Sequence, residues 1–145
     1  WRVEIDAEAG DLSAEAAYSV ILNGLRNAVE ACGEVWLKDG SNTDLEVVIQ
    51  ARVEGPLVVV RVSDTGVGLL EGAERAFEHG YTTKGWMPER RGRVGGVGLA
   101  VSRRLAESMG GALRLVPRQR GTTLELRYPI RNDEGVMSRL LGDAR

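Results

Sequence analysis

Two asparagines one helical turn apart, Asn23 and Asn27, lie in a stretch that otherwise has the pattern of an amphipathic helix. Ile21, Leu25, Ala28 and Cys32 recur at three- and four-residue steps as one apolar stripe, which puts Asn23, Asn27 and Glu30 on roughly the opposite side, away from the core. Asn is a mediocre helix former, because its amide competes for backbone hydrogen bonds, and Glu or Lys would serve a solvated face better. An amide carbonyl is a hard oxygen ligand suited to Mg2+, which takes few protein oxygens alongside water and phosphate. A merely solvated pair of amides would give the same pattern, so the spacing alone leaves both readings open.

Further along, Asp64-Thr65-Gly66-Val67-Gly68 follows directly on a β-branched run. Its glycines let the backbone turn sharply and approach a flat ligand, and a carboxylate at a strand end can accept a hydrogen bond from the exocyclic amine of a purine. An ordinary turn after a strand would look no different. Gly92, Gly95, Gly96 and Gly98 then lead into a helix, whose N-terminal amides and dipole favour an anion such as phosphate. A flexible hinge before a helix would give the same glycines. Neither a Walker loop nor a dinucleotide fingerprint is present, since no Gly-Lys-Ser/Thr closes the run. Tyr81, Thr82, Thr83 and Lys84 add hydroxyls and a cation that could fold onto phosphates, whereas Arg90, Arg91 and Arg93 read as a solvated charge run. The single histidine, His79, sits between Glu78 and Gly80 rather than on a long exposed helix, which speaks against a phosphoacceptor. Ser63, Ser102 and Ser108 lie in no nucleophile elbow.

The elements that must hold these residues follow from periodicity. Residues 2–6 alternate as a half-buried strand, and Ser13 offers an N-cap for a helix running to about Cys32, followed by a loop over 33–44. Residues 45–53 and 57–63 form a hairpin around Glu54-Gly55-Pro56, at the sheet centre. One or two helical turns follow over 69–77, then a polar, glycine-rich segment over 79–95 of the kind that forms a lid. Val97, Val101, Leu105 and Met109 define the apolar side of a helix over 96–109, closed by Gly110 and Gly111. Strands at 112–116 and 122–128 complete the domain, residues 1–130, and 131–145 is a polar tail with room for a short helix at 136–141. The chain has 145 residues, 43% hydrophobic and 28% charged, which suits one globular domain with one core. A net charge of −2 supplies no basic field for nucleic acid or an anionic membrane. The single Cys32 permits no intrachain disulfide and fits a reducing, cytoplasmic setting, and the abrupt start at Trp1 suggests a fragment of a longer protein.

Taken in order, these motifs closely resemble the nucleotide-binding domain of sensor histidine kinases, within the superfamily shared with gyrase B, Hsp90 and MutL. Residues 21–31 resemble its asparagine box and 64–68 its first glycine box. Residues 76–84, Ala-Phe-Glu-His-Gly-Tyr-Thr-Thr-Lys, resemble its phenylalanine box, in the form closest to the citrate- and dicarboxylate-sensor branch. Gly96-Val97-Gly98-Leu99-Ala100 resembles the second glycine box and Gly121-Thr122-Thr123 the last. The resemblance implies an α/β fold, a two-layer sandwich of a mixed, mostly antiparallel sheet backed by helices, the Bergerat ATP-binding fold. It also implies ATP and Mg2+ as cofactors: Asn27 on the metal, Asn23 supporting phosphates and metal, Asp64 on the adenine amine, and Gly66 and Gly68 shaping that wall. Tyr81, Thr83, Lys84, Gly96, Gly98 and Leu99 would lie along the phosphates and lid, Thr122 would join the adenine-side network, and Phe77 would anchor the lid. Glu30 and Val94 depart from the common pattern, where Lys and Gly are frequent.

Within that superfamily the ATPases carry a water-activating Glu one turn before the metal-binding Asn, and here that place is Asn23. The resemblance therefore implies a kinase whose γ-phosphate goes to a histidine on a separate dimerisation domain. The expected partners are that domain and a response regulator, with no nucleic acid, in a homodimeric parent that could be membrane-anchored. An anti-sigma-factor-type serine kinase shares these boxes and would need no histidine domain. A degenerate nucleotide-binding signalling module would retain them without catalysis, and an ATPase would release phosphate steadily, against which Asn23 speaks.

Overall fold

The computed structural model describes residues 2–6, 15–40, 44–69, 75–78 and 98–130. Five strands form one sheet: β1 (Arg2–Ile5), β2 (Val47–Glu54), β3 (Leu57–Asp64), β4 (Ala112–Pro117) and β5 (Thr122–Pro129). Their spatial order is β1-β2-β3-β5-β4. β1 runs parallel to β2, and the other pairs are antiparallel, giving the mixed, mostly antiparallel sheet expected. Helices α1 (Glu15–Lys38) and α2 (Gly98–Ser108) cover one face, and a short 3-10 turn lies at Arg75–Phe77. The α/β two-layer architecture therefore stands as expected from the sequence.

Alternation along the strands decides which side chains meet the helices. Val58, Val60 and Val62 of β3 and Leu124, Leu126 and Tyr128 of β5 enter the core, with Ala51 of β2 and Leu113 of β4. The residues between them form the opposite face. There the Glu125 carboxylate accepts from Arg61 Nε at 2.8 Å and Arg127 Nε at 2.7 Å, while Arg61 also reaches Glu54. The β2–β3 hairpin closes through Gly55 at φ +60° followed by Pro56, as a type II′ turn requires. α2 ends in a Schellman cap: Gly110, at φ +72°, donates to Glu107, and Gly111 donates to Ala106.

Three expectations about the helices need correction. α1 does not stop near Cys32 but runs to Lys38, so Trp36 is a helix residue, 57% exposed, and not part of a loop. Gly33 is no breaker inside a helix already propagated over several turns. Its most deeply buried line is Ala17, Val20, Gly24 and Ala28, with Ile21 and Leu25 only half-buried beside it. Small residues dominate that line because the helix lies close on the sheet: a Cβ on Gly24 would come within 2.6 Å of Leu124. On α2, Val101 is 42% exposed, and the buried positions are Ser102 and Ala106. Leu99, Leu105 and Met109 pack at the core margin. The expected N-cap Ser13, the segment at 79–97 and the tail at 131–145 lie outside the described residues.

Candidate functional site

The Asn face of α1 is not a solvated back. Asn23 and Asn27 are half-buried, and Asn23 Nδ2 donates to Ser102 Oγ of α2 at 3.1 Å. The expectation that these amides point away from the core is thus corrected for Asn23, which sits in the seam between the two helices, while Asn27 is half-buried one turn on. Asn23 Oδ1 lies 3.7 Å from the position a Cβ would take on Gly98, the first residue of α2. A neutral oxygen acceptor therefore stands beside the first residue of α2, and the N-terminal N–H groups of a helix favour anions. Leu99, the next residue, packs at the core margin.

At the other end of α1 the loop after β3 is wedged against helix and turn. Asp64, the last residue of β3, is 6% exposed, and its Oδ1 accepts from the Gly66 N–H at 2.8 Å. Burial raises its carboxyl above the ordinary value, opposed by the backbone N–H groups of Gly66 and Thr122 and by the charge of Arg118. Arg118, in the β4–β5 turn, also reaches the Asp64 carbonyl oxygen at 3.5 Å. A Cβ on Gly66 would fall 2.5 Å from the Ala31 carbonyl carbon, so only glycine lets the loop lie on α1. The Ala31 carbonyl in turn accepts from Val67 N at 3.4 Å. Gly121, at φ +80°, presses against Asp64 so closely that a side chain there would meet its carbonyl oxygen and carboxylate. Gly68, at φ +74°, faces Gly121. Thr65 braces the loop from outside, its hydroxyl accepting from Glu46 N at 2.8 Å. Cys32 lies below, its thiol pushed up chiefly by burial.

The structure thus draws Asp64, Gly66, Gly68 and Thr122 into one cluster and Asn23 and Gly98 into another. α1 joins them: from Asn23 to Ala31 is eight residues, about 12 Å of helix rise. Asn27 stands one turn beyond Asn23 on the same side. Tyr81, Thr83, Lys84 and Gly96 fall outside the described residues. Ser102 and Arg118 were not read from the sequence as parts of the site, nor were the bracing by Thr65 and the close approach of Gly121 to Asp64, although Thr65 and Gly121 both lie in the glycine boxes.

For Mg2+, the donor set fits the ion's habits. No group of three or more His, Cys, Asp or Glu side chains capable of holding a metal occurs among the described residues. An amide oxygen beside a phosphate-favouring helix end suits a cation that keeps its waters and takes most of its charge from the ligand. No helix among the described residues is long and apolar enough to cross a membrane.

The family model for histidine kinase-, DNA gyrase B- and HSP90-like ATPases matches residues 13–132. The sensor protein TdiS of Thauera aromatica is 32% identical over 113 residues, 77% of this chain but 19% of that protein, so the chain spans about a fifth of its length. Among solved structures, the catalytic domain of histidine kinase ThkA superposes with a TM-score of 0.64 at 24% identity, covering 88% of this chain and 76% of that one. A mycobacterial sensor histidine kinase, MprB, gives 0.61 at 20% identity, covering 88% and 79%. At those identities the structures speak for the fold.

Proposed function

The chain belongs to the family of histidine kinase-, DNA gyrase B- and HSP90-like ATPases and is an ATP-binding domain of the histidine kinase kind; we propose that it holds Mg·ATP between α1, α2 and the Asp64 loop and presents the γ-phosphate to a histidine on a separate dimerisation domain. The carrying observation is Asn23. The superfamily's ATPases place a water-activating carboxylate at this position, and here a half-buried neutral amide stands there, bonded to Ser102. An amide takes no proton from water at any ordinary pH, so hydrolysis has no base from this position, and the phosphoryl group is kept for a protein nucleophile.

In this reading the Asp64 carboxylate accepts from the adenine amine, and Gly66, Gly68 and Thr122 shape that end. Gly98 and Leu99 bring the α2 N-terminus to the phosphates, with Gly96, Tyr81, Thr83 and Lys84 acting from the intervening segment. Asn27, supported by Asn23, would hold Mg2+, which when bound neutralises charge on the phosphates. The chain's own contribution is positioning and a fixed field of dipoles. As an imidazole nitrogen of the partner domain bonds to the γ-phosphorus, the bond to the bridging oxygen breaks and ADP leaves. We take 1–130 as the ATP-binding unit and 131–145 as its polar tail. A cytoplasmic, homodimeric parent acting on a response regulator follows from the same reading.

Calorimetric titration of Mg·ATP into the wild-type chain and Asp64→Asn tests the site. Wild type binds and the variant loses most of its affinity, because a buried amide offers the adenine amine a poorer acceptor. Equal binding by both overturns the assignment. Radiolabelled ATP should leave no phosphate on the chain alone, and label on His79 would contradict the division of labour.

A further inference from the structure

Ser102 is fully buried, with 0% of its surface exposed, one turn into α2 from Gly98. Nothing about a helix interior asks for serine there: alanine is the better helix former and is at ease in a core, as Ala106 is one turn on. A buried hydroxyl without a partner is costly, and this one meets Asn23 Nδ2 at 3.1 Å across the seam between α2 and α1.

An asparagine amide has two unlike ends on a torsion that is broad and close to two-fold. Turned one way it offers a carbonyl oxygen, a ligand for a cation or its water. Turned the other way it offers N–H donors, suited to phosphate. A hydroxyl can serve either end of an amide; in the structure that of Ser102 accepts from Nδ2, and Oδ1 is the atom left towards Gly98 and the N-terminal end of α2. Phosphate there already has donors in the helix N-terminus.

We propose that Ser102 is a positioning residue that fixes the Asn23 amide with its carbonyl oxygen towards the α2 N-terminus, assigning Asn23 to the cation side of the site. This rests on the reading of Asn23 as part of the Mg·ATP site. Ser102 touches neither nucleotide nor metal and acts through Asn23 alone. Its influence therefore belongs to Mg2+-dependent affinity and vanishes when the Asn23 amide is absent.

The experiment is a double-mutant cycle of Ser102→Ala and Asn23→Ala, with the Kd for ATP measured by calorimetry with and without Mg2+ and folding followed by thermal melting. Each single variant is expected to weaken Mg·ATP binding about tenfold. The double variant is expected to bind no worse than Asn23→Ala, and Mg2+-free affinity is expected to be unmoved by Ser102→Ala. Losses that multiply in the double variant overturn the proposal, as does wild-type Mg·ATP affinity in Ser102→Ala while Asn23→Ala is weakened. If Asn23→Ala itself binds like wild type, the placement of Asn23 in the site falls and takes the proposal with it. Should Ser102→Ala fail to fold, Ser102→Cys fills the same space with a poor acceptor. A Mg2+-dependent loss there that Asn23→Ala masks supports the proposal, and wild-type affinity overturns it.

Discussion

Replacing Gly66 by alanine places one methyl group where the backbone of α1 already is. The added Cβ would lie 2.5 Å from the Ala31 carbonyl carbon, 2.6 Å from the Ala31 Cβ and 2.7 Å from the Ala31 oxygen. Ordinary contact begins near 3.4 Å, so loop and helix must part by almost an ångström. Unlike the tip of a flexible side chain, helix backbone cannot step aside. The separation also breaks the Val67 N to Ala31 O hydrogen bond and disturbs the Gly66 N–H that holds the Asp64 carboxylate. Overpacking of this kind costs about 2–3 kcal/mol, which in a domain of this size lowers Tm by roughly 10 °C. Thermal and urea melts of the isolated chain measure the loss, and a fluorescent ATP analogue should bind more weakly because the displaced group carries Asp64. Gly33→Ala is the control, since a Cβ there meets nothing within 4 Å inside α1. It should stabilise by about 0.5–1 kcal/mol through helix propensity alone. A Gly66→Ala variant melting within a degree or two of wild type would refute the packing argument.

Two pH dependences of opposite sign follow. Glu125 is held below its ordinary value of 4.5, first by the hydrogen bond from Arg127 and then, against the cost of burial, by that from Arg61. Its contribution to stability is therefore full above the unfolded value and lost as pH falls through the folded one. Glu125→Gln should cost about 1–2 kcal/mol at pH 7, a gap that closes in melts below pH 4.5; a gap constant with pH counts against the network. Asp64 is raised above 3.8, chiefly by burial. The folded state then binds its proton more tightly than the unfolded state, and its contribution to stability falls as pH rises from 3.8 through the folded value. Nucleotide affinity should move the other way, weakening on acidification while an exposed aspartate would still be ionised. A flat affinity profile down to pH 4 is the opposing result.

Much of the fold was legible because its signals are local. The hairpin around Gly55 and Pro56, the Gly110-Gly111 stop and the alternation of β3 each depend on a few neighbouring residues. The family was legible from the order of short boxes, each of which alone has a plain structural explanation. The end of α1 was misjudged because Gly33 reads as a breaker, although a single glycine costs less than the helix around it supplies. The core side of α2 was misjudged because apolar spacing favoured Val101, while the close seam with α1 selects the small Ser102 and Ala106.

What the sequence by itself determined was the set of chemical parts: two amides a turn apart, a carboxylate at a strand end, glycines where backbone must come close, and no carboxylate where an ATPase keeps its base. What only the tertiary structure decided was their mutual arrangement. Asn23 turns into the seam with α2, Gly66 lies on Ala31, Gly121 presses on Asp64, and Ser102 takes one end of the Asn23 amide. Residue types follow from local chemistry, but contacts across 79 positions of chain, as between Asn23 and Ser102, depend on how closely two helices settle on one sheet. No local pattern carries that distance.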